Sequence, residues 1–156
     1  MSTDPTASGP TSTPGGTVSA GRPRAAAPGP RRALLALLVA VAVALLVWAV
    51  AALLLDVPLE VAQGGQPMTI GAVPVIIATL VAGLFGWGVS ALLSRVAGHR
   101  APLVWVVLAV LGTVLSLVGP LTSGGETSTV TVLVLLHLVV AAVLIPGLRP
   151  GSGSRA

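Results

Sequence analysis

His137 is the residue in this chain best placed to do chemistry. It stands alone inside an apolar run, Leu133-Val134-Leu135-Leu136-His137-Leu138-Val139-Val140. An ionisable side chain in such a setting is costly in lipid, so it marks a functional position by default and faces other helices rather than acyl chains. Imidazole there could relay a proton, line a polar path, or act as a neutral hydrogen-bonding strut. The strut is the favoured reading, with one interhelical hydrogen bond satisfying the ring. Depth along the apolar segments brings Thr113, a few residues to one side of the midplane, and Trp87, a few residues to the other, closest to His137. Ser116 and Thr79 lie further out.

Other chemistry finds little support. Ser90 follows Gly88 in a Gly-x-Ser arrangement, but it falls roughly 9 Å from the level of His137 at 1.5 Å per helical residue. Hydrogen-bond reach is about 3 Å, so the two make no nucleophile–base pair. The second histidine, His99, lies in an arginine-rich connector, which leaves His137 without a partner ligand for metal or haem. There is no cysteine, which excludes thiolate chemistry and disulfides, and there is no tyrosine or lysine. None of the four carboxylates lies within an apolar run, so proton-coupled drug export through a membrane carboxylate is disfavoured. The expectation is a protein that is not an enzyme and holds no cofactor.

The elements that position these residues are apolar helices. Of 156 residues, 54% are hydrophobic and 8% charged, against about a quarter charged in soluble domains, and the mean hydropathy is +1.03. So few charges cannot cover a globule in water, so the excess apolar surface faces lipid. Four runs are long enough to cross a bilayer: about 33–55, 70–94, 102–118 and 129–146. Pro102 suits a first helical turn, and Gly119-Pro120 and Pro146-Gly147 read as stops. Ahead of them, residues 1–30 hold six Pro, five Gly and nine Ser or Thr, a composition expected to be disordered. The organisation expected is a tail over 1–30, a four-span domain over 31–149 and a short flexible tail over 150–156.

Charge sets the expected orientation. The arginines fall before the first run (Arg22, Arg24, Arg31, Arg32), between the second and third (Arg95, Arg100) and after the fourth (Arg149, Arg155). Asp56, Glu60 and Glu126 occupy the two alternate connectors. The positive-inside rule then places both termini in the cytoplasm. The net charge of +4 reflects insertion and attraction to anionic headgroups rather than nucleic-acid binding. The first run is longer than a cleavable signal core and lacks a small-residue cleavage site, so it is read as a retained span.

Within the second run, Ala78, Ala82, Gly86, Ser90 and Ser94 recur every four residues, flanked by Gly83 and Gly88. Small side chains at this spacing let helix backbones approach closely, so this run is expected at the centre of the bundle. Ala36, Ala40 and Ala44 offer a matching row on the first run. Packing within one chain is the plainer use of the stripe and pairing with a second copy the sharper one. Trp48 and Trp105 sit near opposite membrane faces, with Trp87 deeper. Val57, Leu59 and Val61, then Gly64-Gly65, then Met68 and Ile70 suggest a short hairpin between the first two runs.

From Arg31 to Arg149 the chain resembles a family of small four-helix membrane proteins of unknown function from actinobacteria. The resemblance is carried by Leu55-Asp56-Val57-Pro58-Leu59, the Gly-rich connector before Met68-Thr69-Ile70-Gly71, the Gly83–Gly88 segment, and most specifically His137-Leu138-Val139-Val140-Ala141-Ala142-Val143-Leu144-Ile145-Pro146-Gly147-Leu148. It implies an all-α, membrane-embedded four-helix bundle in a bacterial plasma membrane, and supplies no activity. The function expected is that of a non-enzymatic accessory or interaction subunit, with the lipid bilayer and a second copy or another membrane protein as partners. The alternative is a small transporter or channel with His137 lining a polar path. A water-accessible cavity reaching His137 and Thr113 favours the transporter, and a dry, close-packed bundle the structural role.

Overall fold

The computed structural model describes residues 25–57, 59–63 and 66–152; most of the expected N-terminal tail and the last four residues lie outside these. Among the described residues, four helices are long and apolar enough to cross a membrane: Pro30–Leu54, Ala72–Val96, Gly98–Leu121 and Thr127–Gly147. At 1.5 Å per residue even the shortest reaches about 31 Å, the thickness of a hydrocarbon core. The first is α1 (Pro30–Ala49), continued by a π-helical turn over Val50–Leu54. The second is α2 (Ala72–Val96). The third begins with a 3-10 turn over Gly98–Arg100, runs through α3 (Ala101–Ser116) and ends in α4 (Val118–Leu121). The fourth is α5 (Thr127–Gly147).

Local chemistry explains the ends. Pro30 opens α1, where its missing N–H has no helical partner to lose. Asp56 adopts a positive φ of 49° just past the π-helical turn, a left-handed conformation that Asp tolerates better than most residues. Gly119-Pro120, expected to stop the third span, does not. The helix breaks at Leu117 and restarts, which places Pro120 in the first turns of α4, where a proline costs least, and the span runs on to Leu121.

The helices are apolar on every side, with Phe85 75% and Leu115 71% exposed, the pattern of rods meant to be surrounded by lipid. Inside, α1 rather than α2 has the most extensive neighbours, packing along both α5 and α2. α3 rests less tightly on α2 and α5, and those two meet over only a short stretch. The alanine row of α1 explains its position: Ala40 and Ala44 are fully buried and Ala36 nearly so, which lets helices close on it from two sides. A Cβ added at Gly83 of α2 would lie 3.0 Å from Leu37, and one at Gly147 of α5 would lie 2.6 Å from the Ala36 Cβ.

Both faces are tied. On one, β2 (Glu60–Gln63) pairs antiparallel with β3 (Gln66–Thr69), the hairpin suggested by the alternating apolar residues. Trp48 at the end of α1 anchors it, its Nε1–H donating to the Ile70 carbonyl at 2.9 Å. On the other face, where the described arginines lie, β1 (Ala25–Ala26) pairs with β4 (Gly151–Ser152) and Pro28 is buried, so ordered structure extends beyond the 31–149 span domain at both ends.

Candidate functional site

At the arginine face, the end of α5 is held from three sides. A helix leaves its last carbonyls without intrahelical partners. Here Trp105 Nε1–H of α3 donates to the Ile145 carbonyl at 2.9 Å, and Arg32 Nη2 of α1 to the Pro146 carbonyl at 2.8 Å. The fully buried Ser90 hydroxyl of α2 donates to the Leu148 carbonyl at 2.6 Å. Each of the other three membrane helices thus satisfies one carbonyl at the same terminus. Ala33, Leu37, Leu144 and Leu148 pack around them as an apolar core. Trp105, expected near a membrane face, is only 5% exposed, because its indole reaches inward to Ile145.

Away from this clamp the bundle opens. Between α2, α3 and α5 lies a cleft of about 1140 Å³ that also touches the hairpin and α4 but no residue of α1. Its walls are mostly apolar, with Phe85 on α2, Leu108 and Gly112 on α3, and Leu136 and Val140 on α5. Trp105 and Leu148 close it toward the arginine face. The cause is the loose seat of α3: the short side chains of Ala109, Gly112, Thr113 and Ser116 face the gap and leave it unfilled.

His137 and Thr113 both line this cleft, and Trp87 does not. The hydrogen bond of His137 stays within α5, with Nδ1 2.7 Å from the Leu133 carbonyl one turn earlier, rather than crossing between helices. Thr113 likewise donates to Ala109 of its own helix at 2.8 Å. Trp87 points to the arginine face and donates to the Pro28 carbonyl at 3.3 Å. Thr79 and Ser116 also reach the cleft.

The small-residue stripe divides between the two environments. Ala78 and Ala82 are exposed along the cleft, Gly86 is half-buried between Leu148 and Trp105, and Ser90 and Ser94 are buried. A step of four residues advances about 40° round a helix, so five such positions wind through about 160° and cannot all face one neighbour. The buried line on α2 instead runs Val75, Thr79, Gly83, Ser90 and Ser94. Sequence reasoning missed the clamp on α5, whose partners are distant in the chain. It also missed the α3 wall, although Ala109, Gly112, Thr113 and Ser116 already stand there at helical spacing.

Among the described residues no three His, Cys, Asp or Glu side chains converge. Ser90 is bonded to Leu148 and His137 to Leu133, so they form no pair. Four long apolar helices among the described residues, three of them lining a cleft, define a multi-span α-helical membrane protein. The chain belongs to DUF6069, a family of unknown function, whose match covers residues 24–154. No curated protein and no solved structure matches it.

Proposed function

We propose that the protein is a non-catalytic component of a bacterial plasma membrane, with both termini in the cytoplasm, that acts as an accessory or interaction subunit by holding an apolar guest in the α2–α3–α5 cleft. The cleft carries the reading: it is large, mostly apolar, and shut toward the arginine face by Trp105 and Leu148. About 300–1,000 Å³ is usual for pockets that enclose a small molecule, so there is room for a sizeable guest. The grouping of arginines at one end supports the orientation. A second reading, a small transporter, is favoured by the fact that the cavity reaches His137 and Thr113. It requires water in the cleft and an opening through the clamp on α5.

The cysteine-free chain separates the two. Gly112 lies on the cleft wall with open space around its Cβ position, so Gly112→Cys introduces a thiol there without a clash. In vesicles, a binding cleft protects that thiol from a membrane-impermeant maleimide while a membrane-soluble one reacts. Rapid labelling by the impermeant reagent supports the transporter, and His137→Leu should then abolish flux.

A further inference from the structure

The polar atoms of the cleft share a property that defines the guest. Thr79 donates its hydroxyl proton to Val75, Thr113 to Ala109 and Ser116 to Thr113, each at 2.7–2.8 Å and each to a backbone carbonyl of its own helix. At the mouth, Thr122 and Ser123 do the same toward Val118 and Pro120. At the floor, the Trp105 N–H is occupied by Ile145. A carbonyl can only accept, so the Nδ1 of His137 that meets Leu133 carries a proton, and in its neutral form the ring then keeps a lone pair on Nε2. Among the described residues that nitrogen has no hydrogen-bond partner, and it is not sealed away, since no buried side-chain nitrogen or oxygen there lacks a hydrogen bond. Every side-chain donor lining the cleft is therefore occupied, while hydroxyl and imidazole lone pairs remain.

Among the described lining residues there is no Arg, Asp or Glu to neutralise a charge. A buried charge without a partner is far more costly than a hydroxyl that finds an acceptor. We propose, resting on the binding reading above, that the cleft selects a neutral, lipophilic alcohol: a mostly apolar molecule whose hydroxyl donates to His137 Nε2, with the Thr113 oxygen as the alternative acceptor. Thr113 and His137 stand within roughly 3 Å of one another in depth, counting residues from the ends of their helices at 1.5 Å each, so both acceptors lie at the same level of the cleft.

The test uses the full chain in detergent micelles with three probes of one chain length: hexadecanol, its methyl ether and hexadecanoate. Equilibrium dialysis gives the affinities, and native mass spectrometry the number of chains per particle. The alcohol should bind about fivefold more tightly than the ether, the worth of one net hydrogen bond, and the carboxylate most weakly. His137→Leu should shrink the preference of alcohol over ether and His137→Leu with Thr113→Val should abolish it, with the ether unchanged in both, whereas His137→Gln, which retains an acceptor, should keep the preference. Should the leucine variant fail to fold, the wild-type ratio of alcohol to ether still decides. Equal binding of alcohol and ether by the wild type, or tightest binding of the carboxylate, overturns the choice of guest and leaves the cleft a binding site. Binding of no probe, or a dimer that excludes them all, overturns the binding reading as well.

Discussion

Substituting Gly147 with alanine should destabilise the bundle at its tightest helix crossing. The added Cβ would stand 2.6 Å from the Ala36 Cβ, with the Ala36 Cα 3.8 Å away. Carbon atoms rest at about 3.5–4.0 Å, so α1 and α5 must part by about 1 Å. Neither atom is the end of a flexible side chain, so the backbones themselves must move. That movement stretches the neighbouring bond from Arg32 to the Pro146 carbonyl. Overpacking of this kind costs about 1–3 kcal/mol. Removing the opposing methyl with Ala36→Gly should relieve most of this clash in the double variant, since the remaining 3.8 Å contact is ordinary. The Ala36→Gly change alone costs about 1 kcal/mol through helix propensity, a cost the double variant retains, so the relief is read as a coupling between the sites equal to the overpacking removed, about 1–3 kcal/mol. Reversible unfolding in mixed micelles, followed by far-UV circular dichroism, measures all four proteins. Gly88→Ala, at a position with open space, is the control and should be neutral or slightly stabilising. The packing argument is refuted if Gly147→Ala matches that control, or if the effects of Gly147→Ala and Ala36→Gly simply add.

Further outcomes follow from individual hydrogen bonds. Ser90→Ala leaves the Leu148 carbonyl without its buried donor and should cost about 1–3 kcal/mol in the same unfolding assay. Trp105→Phe frees the Ile145 carbonyl and leaves the space of the second indole ring empty in a buried site, with an expected loss of about 1–3 kcal/mol and faster thiol labelling on the arginine side of the cleft. Thr113→Val, whose hydroxyl serves only its own helix, should change stability by less than about 0.5 kcal/mol while weakening binding of a hydroxylated probe. Trp48→Phe cuts the tie to Ile70 and should raise proteolytic cleavage of the β2–β3 hairpin without altering helix content, read by circular dichroism.

The spans were legible because lipid imposes a simple rule: about twenty uncharged residues in a row become helix, whatever their partners. The hairpin was legible through the alternation of Val57, Leu59 and Val61. What could not be read was how the rods rotate against one another. The i+4 row from Ala78 to Ser94 suggested one packing face, but its drift round the helix sends its two ends to different environments. A helix apolar on all sides carries no moment that marks its buried side, so only the alanine row of α1 hinted that it, rather than α2, is the crowded helix. His137 was recognised as exceptional and Thr113 as its neighbour in depth. The identity of its bond could not be foreseen, because the Leu133 carbonyl one turn away is available to any histidine in a helix. The pairing of Ala25–Ala26 with Gly151–Ser152 joins segments whose composition reads only as tail.

The account depends most on four crossings with every arginine-bearing end on one side. Single cysteines at His99→Cys, in the α2–α3 connector, and Ser128→Cys, in the first turn of α5, test it in intact cells with a membrane-impermeant maleimide. Both positions are exposed in the folded chain. The account expects Ser128→Cys to label from outside and His99→Cys to stay silent until the membrane is opened. Labelling of both from outside, or the reverse pattern, would contradict it.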